Sequence, residues 1–571
     1  CSIRKLGPLG YFSHPEFDAY LMSVVGDDDT QWVGHPKEFD WQILAGNRVL
    51  SHNASFDETL YLYGITQDWW PSVDYAEWHC TADLAAYCGL PRSLKGSTAE
   101  LFDLSVDKTT RDNMSGKSWE SMPDDFKEEV SEYALKDSEL CLRLWKELEG
   151  RWSQREKDIS VTSRRIIQRG VPLDLDLLKK QKEDISKLLF DSENQIPWIG
   201  ESPPLSRKAF NAECRRLNIE PPASLALSNQ EANEWIAKYG KEYAWIESVR
   251  DFRRINALKR KLESFDYATQ PDERFYGGLM YFGAHTGRWS GSGGNLNLQN
   301  LPRGNLFGTN LRSLISPRNG NKLIVADLSQ IEVRTLCWLA EDAETLDEIS
   351  KSEDIYEAFA IRFGKWNPEK GALKDEDSKL RHMVKQMVLG CGYGASANKF
   401  SMISGMSLKD AQTAVNLYRH KLNKVVRLWN RLQRKMHIAY TKKEDFILAL
   451  PSGRTLNYGK VTTALQNGRR SYMAMITKGS RKIPVRLWGG LLAENLSQAL
   501  AREIFADMLL DIDKKGINII FHVHDEFIIE ASEKEAEETL KEVIESMSTA
   551  PEWIPDIPLM AEGKILERYE K

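Results

Sequence analysis

Near its C-terminus the sequence sets two histidines and two adjacent carboxylates inside an otherwise apolar run, FHVHDEFIIE (521–530), between INIIF and FIIEA. Alternating β-branched and aromatic residues on both sides predict two short strands, with His524, Asp525 and Glu526 at or near the bend. Acids held at a tight bend between buried strands are costly unless something pairs with them. A cation is one such partner. A solvated hairpin turn is the plain alternative, because Asp is common turn chemistry.

A second acid stands at a strand end in NKLIVADLSQIEVRTLCWLA (321–340). Residues 322–326 read as a buried strand, and helical spacing begins at Gln330, Glu332 and Arg334, which places Asp327 where strand gives way to helix. Asp there can simply cap the helix. If the two strands are neighbours, however, Asp327 and Asp525 can share two hard divalent cations through oxygen ligands, as in-line phosphoryl transfer requires.

The third constellation is DSKLRHMVKQMVLGCGYGASANKF (377–400). Arg381, Lys385, Leu389 and Tyr393 recur every fourth residue, so on a helix they form one stripe of two cations and an aromatic, loosened at its end by Gly390, Gly392 and Gly394. Arg suits a bidentate grip on phosphate, Lys a point charge, and Tyr a stacking surface. A solvated amphipathic helix is the competing explanation. The surroundings favour an anion: 379–443 holds 14 Lys/Arg and one acid, Asp410, with Tyr393, Phe400, Tyr418 and Trp429 interleaved. The net charge of −6 hides a division, because 1–150 carries 13 basic against 27 acidic residues and the remainder is positive.

A chain of 571 residues exceeds one core, and two to four domains are expected. Residues 1–150 alternate apolar runs (YLMSVV, NRVLSH) with helical patterns and read as an α/β domain. Residues 151–275 are mostly charged helix, suiting an arm. Strands return from 276 onward (KLIVAD, FILALP, INIIFHV, EFIIEA), interrupted by a helical insertion over about 341–445. Seven cysteines without C-x-x-C spacing suggest neither zinc knuckle nor disulfide framework. No run approaches the ~18 apolar residues of a membrane span, so the expectation is an intracellular protein.

In order and spacing, VADLSQIEVR, RHMVKQMVLGCGYG and HVHDE resemble the three polymerase motifs of family A DNA polymerases, the bacterial DNA polymerase I type, and especially its phage-encoded branch. AHTGRWSGSGGNLNLQNLP (284–302) is similar to the family's TGR and NLQN elements, and LPSGRTLNY and AENLSQALAR to phage-type palm segments. The resemblance implies a multidomain α/β chain. A ribonuclease H-like exonuclease fold (1–150) would be followed by a right-hand polymerase: thumb and connecting helices (151–275), palm (276–340 and 446–571) and fingers (341–445). It implies a template-directed DNA polymerase of replication or repair, working as a monomer on primer-template DNA and deoxynucleoside triphosphates, in the cytoplasm of a bacterial host if phage-encoded.

Site roles follow the same resemblance. Asp327, Asp525 and the Leu328 carbonyl would hold two Mg2+ ions, for which Mn2+ can substitute, with Glu526 an auxiliary acid. Glu332 falls on the steric gate that disfavours a ribose 2′-hydroxyl. Arg381 and Lys385 fall on triphosphate-binding positions, Lys385 also as proton donor to pyrophosphate, and Gln330, Leu389, Tyr393 and Tyr356 complete the nucleotide site. Arg288, Asn297, Gln299, Gln498 and His524 fall in segments lining primer and template. Leu389 stands where members often carry Phe or Tyr, and Tyr356 where bacterial members carry His. In the first domain, SHNASFD and EYALKDSE resemble the second and third exonuclease motifs, with Asn53, Asp57, Tyr133 and Asp137 as their functional residues. The family's first motif, Asp-x-Glu on an opening strand, is missing, and Glu16 and Asp18 read as surface residues, so an impaired exonuclease is expected. Three rivals compete: a single-subunit RNA polymerase, against which Glu332 argues; a zinc hydrolase using His522, His524 and Asp525; and a non-catalytic DNA-binding relic. His522 has no assigned role.

Overall fold

The computed structural model describes residues 3–570 except 105–108, 115, 227–228, 292–295, 467 and 480. The N-terminal part pairs β1 (Met22–Val25) antiparallel with β2 (Gln31–Gly34), and β3 (Arg48–Ser51) parallel with β4 (Glu77–Cys80). Both pairs pack with the helix Asp124–Leu148, whose acidic first turn, Asp124 and Asp125, suits the helix dipole. An aromatic cluster of Trp41, Tyr61, Trp70 and Trp78 forms the core there.

Long helices follow. Leu175–Asn194 lies along Ala244–Ala268, and their far ends enclose a small separate core built on Trp198, Phe210 and Trp245. A two-residue pair, β5 (Val171–Pro172) with β6 (Arg274–Phe275), closes the base of this arm.

The sheet that brings Asp327 and Asp525 together has the order β13-β14-β7-β15, antiparallel throughout. Its strands are β7 (Asn321–Leu328), β13 (Ile519–Val523), β14 (Glu526–Ser532) and β15 (Ala561–Leu566). Leu323, Ile324, Val325 and Ala326 are all buried, so this central strand is covered on both faces; that is why it reads as an unbroken apolar run instead of an alternation. The helices Gly489–Lys514 and Ala536–Ser548 cover it. Between β7 and the later strands lies a helical block, Ala343–Ser350 through Asn423–Lys442. A hairpin, β8 (Asp445–Ala449) with β9 (Thr455–Lys460), and a three-stranded sheet, β10 (Thr462–Gln466), β11 (Arg469–Lys478) and β12 (Arg481–Leu487), follow it. That three-stranded sheet is absent from the sequence expectation, because its strands are partly exposed and rich in cations.

Two expectations for the basic segment are corrected. The helix Ser378–Cys391 ends before Tyr393, so the ring is not on the Arg381–Lys385 stripe; the chain turns at Gly394, whose φ is +81°. Phe400 and Tyr418 are fully buried and serve as core, out of reach of a ligand. Among the described residues no helix is long and apolar enough to cross a membrane.

A buried ion network ties the arm to the sheet. Glu503, on Gly489–Lys514, accepts from Arg454 (2.6 Å), Arg155 (2.9 Å) and Arg502 (2.9 Å), while Arg502 reaches Glu156 (2.9 Å), which also accepts from the Tyr281 hydroxyl (2.6 Å). The surrounding guanidiniums hold the Glu503 carboxyl far below the usual range despite its burial. Removing one partner strands a buried charge. Glu503→Ala should therefore lower stability by about 3–5 kcal/mol, read by denaturant unfolding followed by far-UV circular dichroism; a change under about 1 kcal/mol would show that the network is dispensable.

Candidate active site

β13 and β14 form a tight hairpin in which Val523 pairs with Glu526, leaving His524 and Asp525 as the bend. His524 adopts φ +57°, the left-handed conformation such two-residue loops demand. Glu526 is therefore the first strand residue, not part of the bend. Because β14 also pairs with β7, Glu526 lies directly opposite Asp327, and the Leu328 N–H donates to the Asp525 carbonyl at 3.1 Å. The register thus brings Asp525 and Asp327 together. Burial and then the Asp327 charge push the Asp525 carboxyl up to about 7, with Arg288 pulling it partly back.

Glu526 is buried, and its carboxylate accepts from the Tyr569 hydroxyl at 2.6 Å. His522 is fully buried edge-on to Trp289 (ring centroids 4.7 Å apart) and held neutral by burial, its pKa lowered to about 3. Neither of its ring nitrogens has a hydrogen-bond partner. That apolar packing disfavours the zinc alternative. A cavity of about 10 Å³ lies between His522, Arg288, Gln299, Arg502, His524 and Asp525.

Gln330 enters the helix Ile331–Leu339 in a left-handed conformation (φ 51°) and accepts from the Tyr356 hydroxyl at 2.7 Å. Within the first turn, Glu332 receives Arg288 (2.6 Å) and the Tyr393 hydroxyl (3.3 Å), so three separate segments meet at one carboxylate. The backbone at Tyr393 lies so close to Gly490 that a Cβ there would sit 2.3 Å from the Tyr393 carbonyl oxygen. On the neighbouring helix, Asp377 caps the N-terminus by accepting from Leu380 N–H at 2.9 Å. Arg381 and Lys385 both stand over the Tyr356 ring, at 5.2 and 5.7 Å. Leu389 is 42% exposed.

Asp354 was missed by sequence reasoning. Its carboxylate takes Arg381 through Nε (2.6 Å) and Nη2 (3.2 Å), occupying the fork expected to grip phosphate. The signal lay in EDIYEAFA beside Tyr356, but only the fold shows which cation it meets. Asn297 is turned inward to its own backbone, accepting from Gln299 N–H at 3.0 Å, and Gln299 is buried; Gln498 is half-buried on Gly489–Lys514.

About the N-terminal cleft of roughly 1840 Å³, Asn53, Asp57, Tyr133 and Asp137 all line one wall system. Asn53 is left-handed (φ 90°) at the start of Ala54–Thr66; burial pushes Asp57 up to about 6, and Tyr133 is hydrogen-bonded to Asp137. Glu16 and Asp18 have mostly exposed side chains.

A family model described as DNA polymerase family A matches residues 226–571. The chain belongs to DNA polymerase family A. This family A chain is 25% identical to a DNA polymerase of Bacillus phage SP02, over all of this chain and 98% of that protein. It is 26% identical to a thermostable DNA polymerase I of Thermus filiformis over 77% of this chain, and it spans 51% of that relative. Against the DNA polymerase I of Bacillus subtilis it is 26% identical and spans 42% of that protein. The chain thus covers about half or less of these two bacterial enzymes. Its fold matches the polymerase domain of Pol1 from M. smegmatis, solved in complex with DNA primer-template and dNTP, at a TM-score of 0.73 and 18% identity over 97% of this chain and 93% of that one. The mixed helix-and-strand, multidomain fold class expected from the sequence agrees with that match.

The folded chain holds the Asp525 proton up to about 7, against 3.8 for a free side chain. It therefore binds that proton more tightly than the unfolded chain, and without divalent cations stability falls as pH rises from about 4 to about 7. Asp525→Asn removes the repulsion. In chelator at pH 8 the variant should melt about 2–4 °C above the parent, and the gap should close near pH 4; a variant that melts lower at pH 8 contradicts the assignment.

Proposed function

We propose that this polymerase adds deoxynucleotides to a primer 3′-hydroxyl by in-line phosphoryl transfer assisted by two divalent ions. The proposed division is an exonuclease-like domain (1–150), thumb (151–275), palm (276–340 and 446–571) and fingers (341–445). The observation that supports it is the β14–β7 register, which brings the buried Asp525 carboxylate into the field of Asp327, where a cation relieves their repulsion. The donor set is all oxygen, which fits Mg2+, with Mn2+ able to substitute. Among the described residues no trio of His, Cys, Asp or Glu side chains is gathered for a metal, so the fit rests on Asp327, Asp525 and the Leu328 carbonyl. Bound there, two such ions supply charge neutralisation and a more acidic primer hydroxyl.

The protein's own groups do the rest. Asp354 keeps the Arg381 guanidinium extended along the Tyr356 ring until a triphosphate takes it. Lys385, on the same helix face, neutralises the phosphates and gives a proton to departing pyrophosphate. Gln330, Tyr356 and Leu389 border the nucleotide, and Glu526, bonded to Tyr569, is auxiliary. Glu332, clamped by Arg288 and Tyr393, stands rigidly where a 2′-hydroxyl would lie, which favours deoxynucleotides over the ribonucleotides of a single-subunit RNA polymerase. Arg288, Gln498 and His524 border the primer-template, while Asn297 and Gln299, turned inward, shape the loop that carries them. The full-length likeness to a phage polymerase supports a phage-type replicative or repair enzyme. In the N-terminal cleft Asp57 and Asp137, with Tyr133 and Asn53, form a partial hydrolytic site; weak degradation of single-stranded DNA is expected, and robust degradation would overturn that.

Primer extension tests the polymerase reading. With magnesium, the chain should extend with deoxynucleotides and not ribonucleotides, and Asp525→Asn should abolish extension. Lys385→Ala should cost about 10²–10⁴-fold in kcat, and Glu332→Ala should admit ribonucleotides. Activity surviving in Asp525→Asn would refute the metal assignment, and ribonucleotide use by the parent would refute the gate.

A further inference from the structure

Glu526 carries a constraint that the β14–β7 register does not explain. Directly opposed residues of an antiparallel pair share a face, with their Cβ atoms roughly 5 Å apart. The Glu526 side chain therefore leaves the sheet beside Asp327, one residue from Asp525. A third carboxylate so placed could join the other two around a cation. Yet among the described residues no three such side chains are gathered for a metal. Something holds Glu526 aside.

Tyr569, which follows β15 and is fully buried, is positioned to do so. Its hydroxyl lies 2.6 Å from the Glu526 carboxylate and 3.0 Å from Arg312 Nη1. Arg can only donate, so the hydroxyl accepts from Arg312 and donates its one O–H to Glu526. The ring is fixed as firmly. The Arg312 guanidinium stands over it at 5.1 Å and also donates to the Leu301 carbonyl at 3.2 Å. Tyr569 N–H donates to the Ile315 carbonyl at 3.0 Å, and Arg568 pairs with Asp174, the N-cap of Leu175–Asn194. Such a bond can serve merely to make burial of an acid tolerable. Glu530, also buried on β14, shows how that need is met elsewhere on the strand: Arg274 meets its carboxylate directly at 2.8 Å, and the Arg318 N–H at 2.8 Å. A hydroxyl, by contrast, sets the direction of a carboxylate without cancelling its charge. Mg2+ is held by one or two carboxylates and takes substrate phosphates at its other positions, so a third acid would occupy a place the triphosphate needs.

We propose that Tyr569 is a positioning residue: it turns the Glu526 carboxylate off the cation site, so that Asp327 and Asp525 are the only carboxylate ligands and positions stay open to the triphosphate. The proposal rests on the two-cation reading above, but its test needs no catalysis. The full chain, without DNA or nucleotide, would be titrated with Mn2+ and the free ion read by electron paramagnetic resonance. Tyr569→Phe keeps the ring and drops the hydroxyl, which lets Glu526 turn onto the ion, so Mn2+ affinity should rise ~10-fold with the added ligand charge. In the Glu526→Gln background the same substitution should change affinity less than about twofold, because the acid it acts through is gone. In primer extension, Tyr569→Phe should raise the deoxynucleotide KM ~10-fold, and Tyr569→Phe/Glu526→Gln should return to the KM of Glu526→Gln. Electron-nuclear double resonance on the parent, grown with carboxyl-labelled glutamate, makes the test independent of how the variant folds: bound Mn2+ should show no directly coordinated glutamate. A coordinated glutamate in the parent that Glu526→Gln removes would overturn the proposal. An unchanged or weaker affinity in Tyr569→Phe, or an equal rise in the Glu526→Gln background, would overturn it as well. Mn2+ binding that is indifferent to Asp525→Asn would refute the two-cation reading itself, and this proposal with it.

Discussion

The chemistry of this chain depends on one backbone pairing, β14 on β7. With Glu526 opposite Asp327 and Leu328 N–H bonded to the Asp525 carbonyl, the acidic bend cannot sit anywhere but beside the acid at the end of the central strand. Phe527, Ile528 and Ile529 are all buried, so a slip of one residue would exchange the side chains packed on the two covered faces, and that packing holds the register that brings the carboxylates together. The apolar sheet thereby carries the cost of a repulsive pair.

Around that pairing the remaining groups are positioned by charge. Glu332 gathers Arg288 from the loop after the arm and Tyr393 from beyond the basic helix, so one carboxylate ties three segments together. Asp354 does the corresponding service for Arg381. Beneath them the Glu156, Arg502, Glu503 and Arg454 network joins the arm to the helix that covers the sheet; in a water-excluded setting its attraction is strong only because every charge has a partner.

Much of this was legible in the sequence because it depends on local pattern. β7, β13 and β14 are apolar, β-branched runs, and the acids interrupt them at strand ends; Arg381 and Lys385 share a helix face by spacing alone. What local pattern does not encode was missed or misplaced. Tyr393 reads as the next residue on the stripe, yet the helix stops at Cys391 and the ring reaches Glu332 from the following turn. Phe400 and Tyr418 look like stacking aromatics among cations but fill the core, since a sequence does not say which face of an amphipathic helix meets protein. The β10–β12 sheet escaped notice although Ile483, Val485 and Leu487 alternate along β12, because Pro484 argues against a strand and cations flank each apolar stretch. Asp354 and the ion network are pairings across long sequence separations, which only the fold brings about.

The central claim is that Asp327 and Asp525, brought together by the β14–β7 register, jointly hold divalent cations. Electron paramagnetic resonance titration with Mn2+, on the chain bound to primer-template and a non-reactive nucleotide, tests it most directly. Two spin-coupled ions should bind, and either Asp327→Asn or Asp525→Asn should lose the coupled pair. A coupled signal retained at full occupancy in both variants would contradict the account.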